Sequence, residues 1–296
     1  MKIGVDLGGT TIKVGLVDDN YAIVQTAVGD TKRGRPAEEI IKDMADLCLE
    51  VMNKQGIDSV ETIGIGCPGM ASGGIIKRSS NLDFYDVDVR VLMNKYIDAQ
   101  IFVENDANVA ALGEVAAGAA KGKTNAVMVT LGTGVGGGII ANGKIFSGAF
   151  GGAGEIGHQI IKFDNGIDCG CGRTGCWEQY ASATALIRQA EEALNKKNIT
   201  AKDVFELAEN GNTLAKDVLE NYLQFVSMGI TNMINILEPE IIIIGGGISA
   251  QKEVITEPIK KYVQQQMYGG LQLQTEIKTA ELGNDAGIIG AALLKI

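Results

Sequence analysis

The chain has 296 residues, which exceeds the usual size of a single hydrophobic core and favours two lobes with a cleft between them. Hydrophobic residues make up 46% and charged residues 21% of the chain, which excludes an intrinsically disordered protein. The formal charge of −10 disfavours nucleic acids and anionic membranes as partners, because phosphate groups bind to basic faces.

The pattern of apolar runs and glycine turns predicts an α/β protein with mixed sheets. In chain order, strands are predicted at Lys2–Val5, Ile12–Val17, Ala22–Ala27, Ile63–Gly66, Ile101–Glu104, Val127–Thr130, Gly137–Ala141 and Ile241–Ile244. Helices are predicted at Pro36–Asn53, Ala107–Ala120, Ser182–Asn195, Ala201–Glu209, Thr213–Leu237 and near Asp285–Leu294. Strands and helices alternate in both halves, as expected for two lobes.

Two hairpin turns of similar composition indicate either a duplicated domain or a chance likeness, and as a pair they favour a phosphate site. The first contains Asp6, Gly8, Gly9, Thr10 and Thr11, with Lys13 just beyond, and the second contains Gly132, Thr133 and Gly134. Glycine lets the backbone approach phosphate oxygens, hydroxyls add donors, and Asp6 is placed to hold a magnesium shell. Neither turn fits a Walker loop or a dinucleotide fingerprint, since each leads into a strand. For either turn alone, a plain hairpin is the alternative.

A cluster of histidine and cysteine has the spacing of a zinc site: His158, Cys169, Cys171 and Cys176. One imidazole and three thiols are a tetrahedral ligand set, and four protein ligands leave no position for water, so a structural zinc is expected. Buried cysteines without a metal are the alternative. Glu155 and Glu178 flank the cluster in sequence, and carboxylates either bind sugar hydroxyls or are solvated surface charges.

The cysteine count and the N-terminal segment favour the cytoplasm. The number of cysteines, five, is odd, which suits a metal site in a reducing compartment better than a disulfide framework. The apolar run Ile3–Val5 meets Asp6 at once, so no signal peptide is expected, and no apolar stretch reaches membrane-spanning length.

Asn105 and Asp106 lie at a predicted junction between a strand and a helix. An Asx residue there is expected as a helix N-cap, and an acid–base role for Asp106 is the alternative. The helix N-terminus is expected to lower the pKa of Asp106 and to keep the carboxylate ionised at neutral pH. An ionised carboxylate suffices for phosphoryl transfer, because the base mainly orients the attacking hydroxyl.

Five segments together resemble the ROK (repressor, open reading frame, kinase) family of sugar kinases. They are Asp6–Thr11, Glu104–Asn108, Leu131–Gly138, Gly154–His158 and Cys169–Glu178. The resemblance implies the two-lobed actin-like or hexokinase-like ATPase fold, with duplicated ribonuclease H-like domains and a cleft. It also implies a first lobe of residues 1–115 plus about 284–296, completed by the C-terminal helix, and a second lobe of residues 116–283.

The resemblance further implies the residues of the site. Asp106 matches the catalytic base, and the sugar-binding positions match Asn105, Glu155, His158, Glu178 and Gly69. The two turns match phosphate loops, and the loop on the adenosine side matches Gly245, Gly246 and Gly247. Mg-ATP, a hexose and a structural zinc are the implied ligands, and a homodimer or higher homo-oligomer is expected.

The reaction implied by the resemblance is transfer of the ATP γ-phosphate to the 6-hydroxyl of glucose. The Glu-x-Gly-His form and the run Gly172–Ser182 resemble the glucose-phosphorylating members most, although N-acetylmannosamine kinases share nearly all of these residues. Mannose and fructose are further alternatives, and polyphosphate is an alternative donor. A non-catalytic sugar-sensing regulator is disfavoured, because only Met1 and Lys2 precede the apolar run Ile3–Val5, whereas the family's repressors carry a winged helix before this strand.

Overall fold

The computed structural model describes residues 1–79 and 81–295. The strands are β1 (Lys2–Leu7), β2 (Thr11–Val17), β3 (Ile23–Asp30), β4 (Thr62–Cys67), β5 (Met70–Ser72), β6 (Ile75–Ser79), β7 (Phe84–Asp88), β8 (Gln100–Asn105), β9 (Ala126–Leu131), β10 (Val135–Ala141), β11 (Lys144–Ile145), β12 (Ile241–Gly245) and β13 (Glu276–Thr279). The helices are α1 (Ala37–Lys54), α2 (Val89–Met93), α3 (Asp106–Ala117), α4 (Glu178–Ala181), α5 (Ala183–Ala193), α6 (Ala201–Glu209), α7 (Thr213–Leu237), α8 (Glu253–Gln266) and α9 (Asp285–Ala292).

Every strand and helix predicted from sequence is present, with ends that differ by three residues at most. The sequence did not predict β5, β6, β7, β11, β13, α2, α4 or α8. The sheet of β5, β6 and β7 was missed because its strands are short and its register shifts at Met70 and Ala71, which obscures the alternation. Helix α8 carries Pro258 inside it, a residue that normally ends a helix.

The chain divides into two units. The first comprises Met1–Thr124, Gly138–Gly154 and Glu281–Ile296, and the second comprises Asn125–Gly137 and Glu155–Ala280. The predicted first lobe, residues 1–115 with about 284–296, falls within the first unit, although Ile296 lies outside the described residues. Residues 116–124, 138–154 and 281–283, which were expected in the second lobe, also belong to the first unit.

The first unit is built on a sheet with the order β3-β2-β1-β4-β8. Strand β1 is antiparallel to β2 and parallel to β4, and β4 is parallel to β8. The carboxyl ends of β1, β4 and β8 therefore share one edge of the sheet. In the register, Asp6 of β1 lies beside Gly66, and Gly66 lies beside Glu104 of β8.

Helix α1 covers one face of this sheet. The side chains that it presents to the core recur every three or four residues and have no exposed surface: Ile40, Met44, Cys48 and Val51. They pack with the residues of β1 and β4 that point to the same side, among them Ile3, Val5, Ile63 and Ile65. Burial of each large aliphatic side chain contributes roughly 1.5–3 kcal/mol.

The C-terminal helix α9 covers the opposite face at backbone distance. Four glycines each face a backbone carbonyl so closely that a Cβ atom would overlap it: Gly4 opposite Ile288, Gly64 opposite Ala291, Gly113 opposite Ala286, and Gly290 opposite Val109. Alternate residues of a strand face opposite sides, so Gly4 and Gly64 are the partners of Ile3 and Ile63 on the other face. Helix α9 therefore lies directly on β1, β4 and α3.

A buried carboxylate fixes the segment that leads into α9. Glu114 of α3 has no exposed surface, and its oxygens accept hydrogen bonds from the backbone N–H groups of Ala119 (2.8 Å), Glu281 (3.0 Å) and Leu282 (2.8 Å). Hydrogen bonds to a charged group contribute more than neutral ones. The contact explains why the chain from Glu281 onward belongs to the first unit.

Residues 138–154 belong to the first unit because the second half of β10 packs against α3. A Cβ atom at Gly138 would overlap the carbonyl of Ala107 in the first turn of α3, so the strand approaches that helix directly. Beyond it, Ile140 of β10 pairs antiparallel with Ile145 of β11. The segment after β11 is therefore anchored beside the start of α3.

In the second unit, β12 lies between β9 and β13 and is parallel to both. The five residues of β12 are buried. Helix α7 packs against the ring of Trp177 at Gly229, where a side chain would overlap the ring. The indole Nε1 donates to the carbonyl of Phe225 in the same helix at 2.7 Å. Among the described residues no helix could cross a bilayer, and even α7, with 25 residues, carries Lys216, Asp217 and Glu220.

Gly290→Ala tests the packing of α9. The added methyl group meets the backbone carbonyl of Val109, which no side-chain rotation relieves, so we expect the free energy of unfolding to fall by about 3 kcal/mol or more. Urea denaturation measures the change. Gly34→Ala is the control, because that glycine has a φ of +82° and open space, so only backbone strain of about 1 kcal/mol is expected. Equal losses in the two variants would contradict the proposed contact.

Candidate functional site

At the junction between β8 and α3, the helix cap and the candidate base are two different residues. Asn105 is the N-cap, since its Oδ1 accepts hydrogen bonds from the N–H groups of Ala107 (2.9 Å) and Asn108 (3.2 Å). Asp106 is the first residue of the helix, and its Oδ1 accepts from the N–H of Ala107 at 2.9 Å. The cap predicted for this Asx pair is thus supplied by Asn105, and Asp106 is not needed for it.

Asn105 also contacts a second predicted residue. Its Nδ2 donates to the carbonyl of Gly69 at 3.1 Å, so the structure brings these two candidate sugar-binding positions together. Gly69 has a φ of +103°, and a Cβ atom there would overlap the carbonyl of Arg78. The backbone at this position therefore requires glycine.

Burial raises the pKa of Asp106. The backbone N–H of Ala107, the residue's own N–H and the side chain of Asn105 lower it, but desolvation of the carboxylate outweighs these hydrogen bonds. The sequence-based expectation of a lowered pKa was therefore wrong, because it considered the helix terminus and not the surrounding protein. A raised pKa makes Asp106 a stronger base than a free aspartate.

Asp6 lies near Asp106 at the same edge of the sheet. Burial raises the pKa of Asp6, the charge of Lys13 lowers it, and the charge of Asp106 raises it further. Lys13 Nζ lies 3.8 Å from Asp6 Oδ2. Gly287 of α9 leaves space beside this carboxylate, since a Cβ atom there would lie 3.5 Å from Asp6 Cγ. Two carboxylates and one ammonium group thus gather at the ends of β1 and β8.

The first glycine turn (Gly8–Thr11) is held by its own backbone and by Thr31. The N–H of Gly8 donates to the carbonyl of Thr11 at 2.9 Å. Thr31, which has no exposed surface, donates its hydroxyl to the carbonyl of Gly8 (2.7 Å) and its N–H to the carbonyl of Thr10 (2.9 Å). Thr10 is exposed and Gly9 is half-buried at the tip. No local pattern predicted the role of Thr31, because the contact joins residues far apart in the chain.

The second glycine turn (Gly132–Gly134) adjoins the glycine loop after β12. The N–H of Gly132 donates to the carbonyl of Gly134 at 3.1 Å, which leaves Thr133 exposed. Gly246 has a φ of +79° and lies so close to the backbone of Leu131 that a Cβ atom would overlap it. Gly245–Gly247 and the second glycine turn, both predicted to bind ATP, are therefore neighbours in the second unit.

The predicted metal ligands converge. The ligand atoms of His158, Cys169, Cys171 and Cys176 all lie within 4.8 Å of one another. Cys169 Sγ lies 3.6 Å from His158 Nδ1, and Cys171 Sγ lies 3.6 Å from Cys176 Sγ. Tetrahedral zinc, with bonds of about 2.3 Å to sulfur and about 2.0 Å to nitrogen, separates its ligand atoms by about 3.5–3.8 Å. The four side chains are therefore compatible with a structural zinc.

Backbone turns hold the loop Cys169–Cys176 in this arrangement. The N–H of Cys169 donates to the carbonyl of Arg173 at 2.8 Å, and the N–H of Gly172 donates to the carbonyl of Cys169 at 3.0 Å. Hydrogen bonding to Arg173 lowers the pKa of the exposed Cys171 thiol to about 6, whereas burial raises the pKa of the Cys169 thiol to about 12. Bound metals favour the thiolate form of such groups.

Two carboxylates, those of Glu155 and Glu178, lie beside the imidazole of His158. His158 Nδ1 faces the thiols and lies 3.6 Å from Glu178 Oε1, while His158 Nε2 lies 3.9 Å from Glu155 Oε2. Glu178 Oε1 also accepts from the thiol of Cys169 at 2.9 Å, and its other oxygen faces Gly134. With Nδ1 toward the metal ligands, Nε2 remains available to hydrogen-bond a hydroxyl group.

Comparison with known proteins identifies the family. The model of the ROK family matches residues 2–296. The chain belongs to the ROK family. Its fold is therefore the mixed α/β, hexokinase-like ATPase fold that the sequence predicted.

Curated relatives and solved structures cover nearly the whole chain. A glucokinase of Halalkalibacterium halodurans is 37% identical over 310 residues, which cover 99% of this chain and 94% of the relative. A glucokinase of Thermotoga maritima is 35% identical over 306 residues, covering 98% and 95%. The crystal structure of a ROK family glucokinase from Streptomyces griseus, in complex with glucose and AMPPNP, superimposes with a TM-score of 0.82 at 34% identity, covering 98% and 97%.

Asp106→Asn is expected to raise stability at neutral pH. The folded-state pKa of Asp106 lies above its value of about 3.9 in the unfolded chain, so the folded state binds this proton more tightly. Stability from this group is fully present below the unfolded pKa and is lost as the pH rises through the folded pKa. The neutral amide avoids that loss and still accepts from the N–H of Ala107.

Urea denaturation of wild type and variant, at neutral pH and at about pH 4, measures this effect. The gain in stability should shrink at the lower pH. Asp88→Asn is the matched control, because hydrogen bonding to Arg90 holds the pKa of Asp88 below its usual value, so its loss should lower stability at neutral pH. A destabilised Asp106→Asn protein would indicate that the carboxylate is a structural anchor.

Proposed function

We propose that the chain is an ATP-dependent kinase that transfers the γ-phosphate to the 6-hydroxyl of glucose. The observation that carries the proposal is the state of Asp106: a solvent-accessible carboxylate at the start of α3, with a pKa raised by partial desolvation, that the helix cap does not use. A carboxylate that has a perturbed pKa and is accessible to a ligand points to a chemical role. The full-length similarity to glucokinases supports glucose as the acceptor.

In this proposal Asp106 is the general base. Its carboxylate hydrogen-bonds the attacking hydroxyl of the sugar, aims the oxygen at phosphorus and accepts the proton as the new bond forms. Asn105, held by Gly69 and by the N–H groups of α3, orients the same part of the substrate. Removal of a general base typically costs 10²- to 10⁴-fold in rate.

The phosphate groups are assigned to the two glycine turns. In the first, Gly9, Thr10 and Thr11 offer backbone N–H groups and hydroxyls, Gly8 closes the turn with its own N–H, and Lys13 adds a positive charge. In the second, Thr133 and Gly134 offer the same groups, Gly132 closes the turn, and Gly245, Gly246 and Gly247 serve the adenosine side. Asp6 is assigned to the hydration shell of magnesium, which binds nucleotides through few carboxylates and several waters. Mg-ATP is thus the proposed donor.

The sugar is assigned to the polar groups around His158 as well. Glu155 and Glu178 accept hydrogen bonds from sugar hydroxyls, and His158 Nε2 hydrogen-bonds a further hydroxyl. Zinc, held by His158, Cys169, Cys171 and Cys176, would supply rigidity here and no open coordination position. The chain's own contribution is to keep the imidazole oriented so that Nε2 faces the substrate. Kinases for N-acetylmannosamine, mannose or fructose remain the alternatives within this chemistry.

An ADP-release assay with glucose, mannose, fructose, N-acetylmannosamine and N-acetylglucosamine tests the function. We expect the highest kcat/KM with glucose and a loss in kcat of at least about 100-fold in Asp106→Asn, with glucose binding retained in a calorimetric titration. A higher kcat/KM with another of these sugars would show that glucose is not the preferred substrate. If wild type turns over none of the five, the proposed activity is wrong.

Metal analysis tests the zinc assignment. About one zinc per chain is expected, and Cys176→Ala should lose it, together with thermal stability and affinity for glucose, because the loop that carries His158 loosens. Cys48→Ala, which removes a buried thiol of α1, is the control and should retain the metal. Full zinc content in Cys176→Ala, or full glucose affinity after chelation, would contradict the assignment.

A further inference from the structure

Glu104, the residue before Asn105, accepts hydrogen bonds from three parts of the first unit. Its Oε1 accepts from the backbone N–H of Asn105 (2.8 Å) and from Nδ2 of Asn108 (3.0 Å). Its Oε2 accepts from the hydroxyl of Ser147 (2.7 Å). The carboxylate thereby links the end of β8, the first turn of α3 and the segment that follows β11.

Asn108 extends this network into the core. The side chain is only 2% exposed, and its Oδ1 accepts from the backbone N–H of Ile139 in β10 at 3.3 Å. Without Glu104, the amide Nδ2 of Asn108 and the N–H of Asn105 would each lose a charged acceptor. Unpaired donors in such surroundings are costly, so the first turn of α3 would have to shift to find new partners.

Ser147 begins a glycine-rich segment, Ser147–Gly154, that is anchored at a second point. Gly151 and Gly152 lie against β5, since Cβ atoms there would lie 2.9 Å from the carbonyl of Ala71 and 3.1 Å from Met70 Cε. The N–H of Ala153 donates to the carbonyl of Ser147 at 3.0 Å, which closes the segment into a loop. Phe150, at its tip, is 90% exposed.

The contacts form a closed circuit. It runs from Glu104 to Asn105, from Asn105 Nδ2 to the carbonyl of Gly69, along the chain into β5, across to Gly151, and back through Ser147 to Glu104. In sequence the loop ends one residue before Glu155. A circuit of this kind holds its members in one arrangement, since no single segment moves without breaking a contact.

We propose that Glu104 is a positioning residue that fixes Asp106 and the loop Ser147–Gly154 as one body. The inference rests on the proposed kinase function and assigns a role to a residue that does not itself touch the substrate. Oε1 sets the direction of the first turn of α3 and hence of the Asp106 carboxylate. Oε2 sets the loop that leads to Glu155. Orientation of the base is what the reaction requires most, because a displacement of about 1 Å can cost about 100-fold in rate.

The kinetic test compares four variants. Glu104→Ala should lower kcat about 100-fold at saturating glucose and ATP, with the KM for ATP unchanged. Glu104→Gln should keep most of the activity, because its amide oxygen still accepts from Asn105 and Asn108 and the hydroxyl of Ser147 is able to accept from its amide nitrogen. Ser147→Ala, which removes the loop contact alone, should raise the KM for glucose with a smaller effect on kcat.

Glu114→Ala is the matched control. This glutamate lies in α3, the helix whose first turn Glu104 contacts, is fully buried and accepts from three backbone N–H groups, so its loss should lower the melting temperature without changing the kcat of the folded protein. Equal losses of kcat in Glu104→Ala and Glu114→Ala would assign the effect to general destabilisation and overturn the proposal. Wild-type kcat in Glu104→Ala would overturn it as well.

Limited chymotrypsin digestion provides a readout that does not depend on activity. Cleavage after Phe150, followed by mass spectrometry, should become faster in Glu104→Ala and in Ser147→Ala than in wild type and Glu114→Ala, because the loop loses its tether. Faster cleavage in Glu104→Ala, together with a wild type that has no kinase activity, would support the loop tether and contradict the proposed kinase function. Unchanged cleavage in Glu104→Ala, together with an active wild type, would contradict the loop tether and leave the proposed kinase function standing.

Discussion

The direct backbone contact of α9 with β1, β4 and α3 is the constraint on which the first unit depends. It exists because Gly4, Gly64, Gly113 and Gly290 lack a Cβ atom where a carbonyl of the facing element lies. With the helix so close, Gly287 comes beside Asp6, and α3 is held against the same sheet edge. The positions of Asp6 and Asp106 therefore depend on the absence of Cβ atoms at these four glycines. Bulkier residues would separate the elements and the two carboxylates with them.

This packing carries a cost that a purely structural protein would avoid. Burial raises the pKa of both Asp6 and Asp106, so their ionised forms oppose folding at neutral pH. Nearby hydrogen bonds and the charge of Lys13 offset part of the cost. In the proposed reaction, the same desolvation strengthens Asp106 as a base. Stability and reactivity therefore oppose each other at this residue.

The two units reach order by different means. In the first, helix and sheet packing is completed by a small polar network in which Glu104 links the end of β8, the first turn of α3 and Ser147. In the second, hydrogen-bonded backbone turns hold the loop Cys169–Cys176, and Trp177, the next residue, is hydrogen-bonded to α7. The four ligand atoms of the predicted metal site converge at this loop. Long-range contacts of few atoms, such as Thr31 with Gly8, do similar work at the first glycine turn. In each case, a residue distant in sequence fixes a short loop.

The sequence alone determined the α/β class, nearly all the longer elements, both glycine turns and the Cys₃His set, because periodicity, glycine clusters and ligand spacing are local patterns. Only the tertiary structure decided that Asn105 supplies the cap, that Asp106 has a raised pKa, and that residues 138–154 join the first unit. It also placed Glu104, Ser147 and Thr31 around the site. Desolvation and contacts between distant residues depend on how the chain packs, and no local pattern encodes them.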